Sequence, residues 1–130
     1  MDENEISREI VDAAIQVHRE LGPGLLESVY ETVLAHELIG RGLKVERQVP
    51  VPVVYKGLHF EEGFRADIMV NDLVVIELKS VSDLTAVHRK QIQTYIRLKN
   101  IRLGMLLNFG AALMKDEIVR AANGMPEWNG

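Results

Sequence analysis

Three ionisable side chains in one short stretch carry the chemistry that this sequence offers. They are Asp67, Glu77 and Lys79, within Phe64 to Lys79 (FRADIMVNDLVVIELK). The stretch reads as a β-hairpin whose second strand is apolar, Leu73-Val74-Val75-Ile76, until it meets Glu77 and Lys79. An apolar run without polar alternation is the pattern of a strand buried on both faces. Charges at the end of such a strand are costly unless paired, hydrogen-bonded or bound to a metal. Two carboxylates offer hard oxygen ligands to Mg²⁺ or Mn²⁺, with the Leu78 backbone carbonyl as an extra ligand and water or phosphate completing the shell. Such an ion polarises a phosphoryl oxygen and lowers the pKa of a bound water. Lys79 could orient or help deprotonate that water, or stabilise charge growing on the phosphate. The competing reading is a buried Lys-Glu bridge with Asp67 capping a turn, an arrangement that gains little stability inside an apolar strand.

One geometric condition decides whether the three residues meet. Side chains alternate along a strand, and a slip of one residue sends them all to the other face. A two-residue loop, Asn71-Asp72, would pair Asp67 with Ile76 and put Asp67 and Glu77 on opposite faces. A three-residue loop, Asn71-Asp72-Leu73, pairs Val70 with Val74 and Asp67 with Glu77. Such loops usually need a residue in the left-handed conformation, which Asn and Asp tolerate. The odd register, or a bulge of equal effect, is therefore expected.

The elements that must position this hairpin are legible from periodicity. Residues 5–21 read as a helix with an apolar stripe of Ile6, Ile10, Ala13, Ala14, Val17 and Leu21. Gly22-Pro23-Gly24 ends it, since glycine suits a C-cap and proline cannot continue a helix. A second helix is expected from about Leu25 to Ile39, burying Leu26, Val29, Val33, Leu34 and Leu38, and closed by Gly40-Arg41-Gly42. Strands follow: a short one at Leu43 to Glu46, then Val49 to Tyr55, which Pro50 and Pro52 make irregular or an edge strand. Lys56-Gly57 is a turn signal leading to His59–Arg65 and the Asp67 strand. A third helix is expected over Leu84 to Lys99, burying Val87, Ile92, Tyr95, Ile96 and Leu98, then a strand over Ile101 to Phe109. Met114 to Ala121 reads as a last strand, with a short helix as the alternative. The result is an α/β domain with a mixed central sheet flanked by helices. The link from strand 73–79 to strand 102–109 has the length of a right-handed parallel crossover.

Composition sets outer bounds. At 130 residues, 47% apolar and 26% charged, the chain suits one domain, 1–130, with 1–4 and 124–130 as loose tails. No cysteine is present, which removes disulfide frameworks and thiolate zinc sites. The polar, acidic start MDENEISREI is unlike a signal peptide, and no apolar run approaches a membrane span, so a cytoplasmic protein without membrane contact is expected. A net charge of −4 argues against coating nucleic acid by bulk charge, though not against a local basic face. Arg41, Lys44 and Arg47, or Arg89, Lys90, Arg97, Lys99 and Arg102, could form one; charge runs are more often solvated surface.

Asp67, nine intervening residues, then Glu77-Leu78-Lys79 resembles the D…ExK core of the PD-(D/E)XK nuclease superfamily. Gly24-Leu25-Leu26-Glu27-Ser28-Val29-Tyr30 matches the signature that names its GxxExxY family. His88-Arg89-Lys90-Gln91-Ile92-Gln93-Thr94-Tyr95 is similar to that family's helix after the ExK strand, and Leu106-Leu107-Asn108-Phe109-Gly110 to its following strand. ExK alone is common by chance; four segments in order carry the resemblance, which spans about Ile6 to Val119. Ala66 stands where the superfamily's name has proline. The resemblance implies a restriction-endonuclease-like core, α-β-β-β-α-β, with an added N-terminal helix. It implies a Mg²⁺- or Mn²⁺-dependent phosphodiester hydrolase acting on nucleic acid, DNA foremost. It also makes Glu27 an acidic residue contributed to the metal site by the first core helix, where a helix N-terminus favours a carboxylate anyway.

Other candidates stand beside these. Tyr30, one turn after Glu27, could flank the site and touch substrate, or be a tyrosine hydrogen-bonded to backbone. His88, Gln91 and Tyr95 share one helix face. Gln91 could orient Lys79, the water or a phosphate, and Tyr95 and His88 could contact substrate. Equally, Tyr95 could be core and Gln91 could satisfy buried backbone. His88 is a poor metal signal alone. Three readings follow: a metal-dependent nuclease, a nuclease fold that binds nucleic acid or a protein partner without cutting, and a small structural or homo-oligomeric module.

Overall fold

The computed structural model of the chain describes residues 1–124. Helix α1 runs Glu3–Leu21 and starts in a capping box: Glu5 N–H donates to Asp2 Oδ1 (2.8 Å), and Asp2 N–H donates to Glu5 Oε1 (3.2 Å). The expected loose start at 1–4 is thus the cap and first turn of α1; the expected tail from Gly124 lies outside the described residues beyond that glycine. Helix α2 runs Glu27–Gly40. Arg41 ties its end to α1 through Glu9 (3.0 Å) and Asp12 (2.8 Å).

The sheet has five strands in the order β1-β2-β3-β4-β5: β1 Val45–Tyr55, β2 Leu58–Val70, β3 Val74–Lys79, β4 Leu103–Asn108 and β5 Ile118–Ala122. Strand β1, with its two prolines, is an edge, as expected, and a register shift falls between Val51 and Val53. Among the described residues only β3 and β4 pair in parallel, as expected from the crossover through helix α3, Ala86–Lys99. The 114–121 segment resolves into both alternatives, a 3₁₀ turn at Met114–Asp116 and then β5. The order α2-β1-β2-β3-α3-β4 is the core implied by the resemblance, with α1 before it and β5 after it.

Two hydrophobic clusters cover the two faces. On one, α1 and α2 bury Ile6, Ile10, Leu34 and Leu38 against Ile68, Ile76, Leu78 and Met105. On the other, Ile92 and Ile96 of α3 lie over Met69, Val75 and Leu106. Gly104 permits that approach, because a Cβ there would stand 2.6 Å from Ile96 Cγ2. Five residues expected on the apolar faces are outside: Leu21, Leu26 (73% exposed), Val29, Val87 and Leu98. Leu26 precedes the first helical residue and Val29 lies in the first turn, so neither belongs to the packed stripe; Tyr30 and Ala35 fill it instead. Among the described residues no helix is long and apolar enough to cross a membrane.

Candidate active site

The hairpin adopts the register that brings the carboxylates together. Val70 pairs with Val74 and Ile68 with Ile76. Leu73 N–H donates back to Val70 O (2.9 Å), so Leu73 is the extra residue of the loop. Asn71 and Asp72 both take the left-handed conformation, φ 51° and 56°, which their short polar side chains tolerate. Asn71 is fixed on both sides by Lys44: its N–H donates to Lys44 O, and its Oδ1 accepts from Lys44 N–H at 2.8 Å.

Beyond Ile68 and Ile76 the β2–β3 ladder gives way to side chains. Asp67 N–H donates to Glu77 Oε1 (3.2 Å), and Leu78 N–H donates to Asp67 Oδ2 (2.9 Å). Within a strand the N–H and C=O of one residue face the same edge. The Leu78 carbonyl therefore faces β2 and Asp67, whereas the Lys79 carbonyl faces β4 and accepts from Phe109 N–H (2.8 Å). Asp67, Glu77 and the Leu78 carbonyl so gather at one opening between two strands.

Asp67 and Leu78 also line a cleft of about 320 Å³ on the α2 side, together with Glu27, Ser28, Glu31 and Gln48; Glu77 and Lys79 do not line it. Glu27 is exposed in the first turn of α2, on the cleft's far wall. The loop before it is held to the end of β3, where Ser80 Oγ donates to Leu25 O (2.8 Å). Asn108, fully buried, fixes the following turn: its Oδ1 accepts from Val81 N–H and Gly110 N–H, and its Nδ2 donates to Val81 O. Gly110 is required there, since a Cβ would lie 2.3 Å from Val81 O.

Glu77 is only 8% exposed. Its pKa is pushed up from 4.5 to about 9, chiefly by burial and next by the negative charge of Asp67, with Lys79 pulling weakly the other way. Tyr95 lies close enough on the α3 side for Glu77 and Asp67 to raise its pKa, after burial, and its ring stacks on Phe64 at 4.1 Å. Lys79 is half-buried, two residues past Glu77 and on the same face of β3.

Tyr30 does not flank the site. It is fully buried, stacks on Phe109 at 4.6 Å, donates its hydroxyl proton to Gly22 O (2.5 Å) and accepts from Leu25 N–H (3.1 Å). This corrects the substrate-contact reading: its hydroxyl is used in shaping the loop that delivers Glu27. His88 is committed to the start of α3, where Nδ1 accepts from Thr85 N–H (3.1 Å) and its own N–H donates to Thr85 Oγ1 (3.2 Å). Gln91 is half-buried on the same α3 face and is not among the cleft-lining residues. Sequence reading passed over Glu31 and Gln48. Glu31 lies four residues after Glu27, on the same helix face, which was a usable signal; nothing local marks Gln48.

The candidate ligand atoms at the opening, the Asp67 and Glu77 carboxylates and the Leu78 carbonyl, are all oxygens, a set that suits Mg²⁺ or Mn²⁺ and not a soft metal. Among the described residues no group of three or more His, Cys, Asp or Glu side chains is arranged to hold an ion. Two carboxylates and one carbonyl still fit, because Mg²⁺ keeps several waters and takes one or two carboxylates.

The family model of the PD-(D/E)XK nuclease superfamily matches residues 4–121, and the chain belongs to that superfamily. Its mixed five-strand sheet flanked by helices is a restriction-endonuclease-like fold. Members usually use divalent metals. No curated protein matches the chain. Among solved structures it is similar to the crystal structure of SSO0001, at 21% identity and a TM-score of 0.42, over 88% of this chain and 63% of that one.

Proposed function

We propose that the chain is a metal-dependent nuclease of the GxxExxY type that hydrolyses phosphodiester bonds in DNA. The observation that supports this best is the interlock of Asp67 and Glu77 through each other's strand backbone, with the Leu78 carbonyl on the same edge. Asp67, Glu77 and the Leu78 carbonyl would hold Mg²⁺ or Mn²⁺, with Glu27 reaching in from α2 directly or through water. The ion, when bound, supplies an activated water and a polarised phosphoryl oxygen. Lys79 supplies positive charge beside Glu77, where it orients the attacking water or the phosphate. Tyr95, near Glu77 and Asp67 on the α3 side, would serve as a substrate contact, and Gln91 would orient Lys79, the water or a phosphate, while Leu78 N–H holds Asp67 in place throughout.

The test is cleavage of labelled DNA with Mg²⁺ or Mn²⁺, using folded Glu77→Ala and Lys79→Ala proteins that should not cut. Calorimetric metal titration of wild type against Asp67→Ala gives a second arm, and equal binding by both removes the reading. A second reading, a nuclease fold that binds without cutting, draws on the lack of a three-carboxylate cage among the described residues. It forecasts DNA binding independent of metal and weakened by salt.

A further inference from the structure

Alternation along β1 and β2 breaks at one place. Val45 and Val49 have the same parity, yet Val45 packs against the α1–α2 cluster and Val49 against the α3 cluster. Ile68 and Ala66 divide between the same two clusters in the same way. The β1–β2 register runs Arg47↔Ile68 and then Val49↔Ala66, so the step between falls on Gln48 and Asp67. Gln48 has φ 51°, a left-handed conformation that an unbranched residue with a long side chain adopts only when its surroundings impose it.

The Gln48 side chain is held by Glu31, a buried carboxylate on α2. Arg47 Nε donates to its Oε2 (3.0 Å) and Gln48 Nε2 donates to its Oε1 (2.6 Å). Consecutive strand residues normally point to opposite faces; these two reach one carboxylate because of the turn at Gln48. Gln48 Nε2 also stands 3.5 Å from Asp67 Oδ1. With acceptors on both sides, the amide must present its NH₂ to the two carboxylates.

We infer that Gln48, braced by Glu31, is a positioning residue for the metal site: it sets the break in alternation that turns Asp67 into the opening and fixes the orientation of the Asp67 carboxylate. This rests on the nuclease reading, and it assigns roles to two residues that lie outside the D…ExK set. Left-handed strain at a site that a neighbouring buried charge maintains is the arrangement expected where geometry serves binding and not stability.

Two variants separate the roles. Gln48→Gly keeps the left-handed backbone without strain and removes the amide; Gln48→Asn tolerates the same backbone but is too short to reach Glu31 and Asp67 together. Mn²⁺ binding is measured by calorimetry, and folding by urea titration without metal. Both variants are expected to bind Mn²⁺ about tenfold more weakly, the usual cost of losing an outer partner of a ligand. Gln48→Gly should meanwhile unfold at the same urea concentration as wild type or a higher one. Affinity within about twofold of wild type in both variants, against the tenfold or greater loss expected, overturns the inference. So does an affinity loss that only tracks lost stability. Absence of Mn²⁺ binding by wild type would remove the nuclease reading itself, a separate result.

Discussion

Replacing Glu77 by glutamine should make the metal-free protein more stable, by an amount that grows with pH. Burial beside Asp67 raises the Glu77 pKa from 4.5 to about 9, so the folded protein keeps a proton that the unfolded chain releases above pH 4.5. Between those values the native state binds more protons, and stability falls as pH rises. Each pH unit costs about 1.4 kcal/mol, so at pH 7 the accumulated cost is about 3 kcal/mol, an upper figure because water entering the cleft relaxes part of it. Glutamine has the shape of the protonated acid, keeps an oxygen to accept from Asp67 N–H, and never ionises. Urea unfolding followed by circular dichroism, from pH 5 to 8.5 with a chelator, should show the two proteins nearly equal at pH 5 and the variant ahead at pH 8. Added Mg²⁺ or Mn²⁺ should reverse the order, since only the carboxylate form gains from the cation. Parallel curves with a constant gap, or a variant that is the less stable protein at pH 8 without metal, would refute the burial argument.

Metal binding must displace the Glu77 proton, so Mn²⁺ affinity should rise up to about tenfold per pH unit below pH 9, and titrations in buffers of different ionisation enthalpy should report the released proton. Tyr30→Phe leaves Gly22 O and Leu25 N–H without their partner and should cost about 1–3 kcal/mol in urea unfolding; an unchanged midpoint with weakened DNA binding would restore Tyr30 as a substrate contact. Gly110→Ala places a Cβ 2.3 Å from Val81 O and should lower the thermal midpoint by several degrees, equivalent to about 1–3 kcal/mol of overpacking. Equal melting of that variant and wild type would show that the turn after β3 can shift.

Much of the candidate site's placement is legible in the sequence because strand alternation is local. Asn71-Asp72-Leu73 carries its own turn chemistry, and with it the register that sets Ile68 against Ile76, one residue short of Asp67 and Glu77. The apolar run through Ile76 places the charges at the end of a buried strand, and Lys79 follows on the same face. Helix periodicity likewise marked α1 and α3, and the two prolines marked β1 as an edge. What escaped was decided by which partner each polar side chain takes, near in the chain for His88 and far from it for Gln48. Tyr30 is buried because Phe109 and the 22–25 loop close over it, and His88 is engaged because Thr85 precedes it at a helix start. Gln48 takes a conformation that its own residue type disfavours, and it does so because a carboxylate on another element waits in a dry place. Short-range preferences write themselves into neighbouring residues; the desolvation that raises Glu77 and recruits Glu31 exists only once helix and sheet have closed on each other.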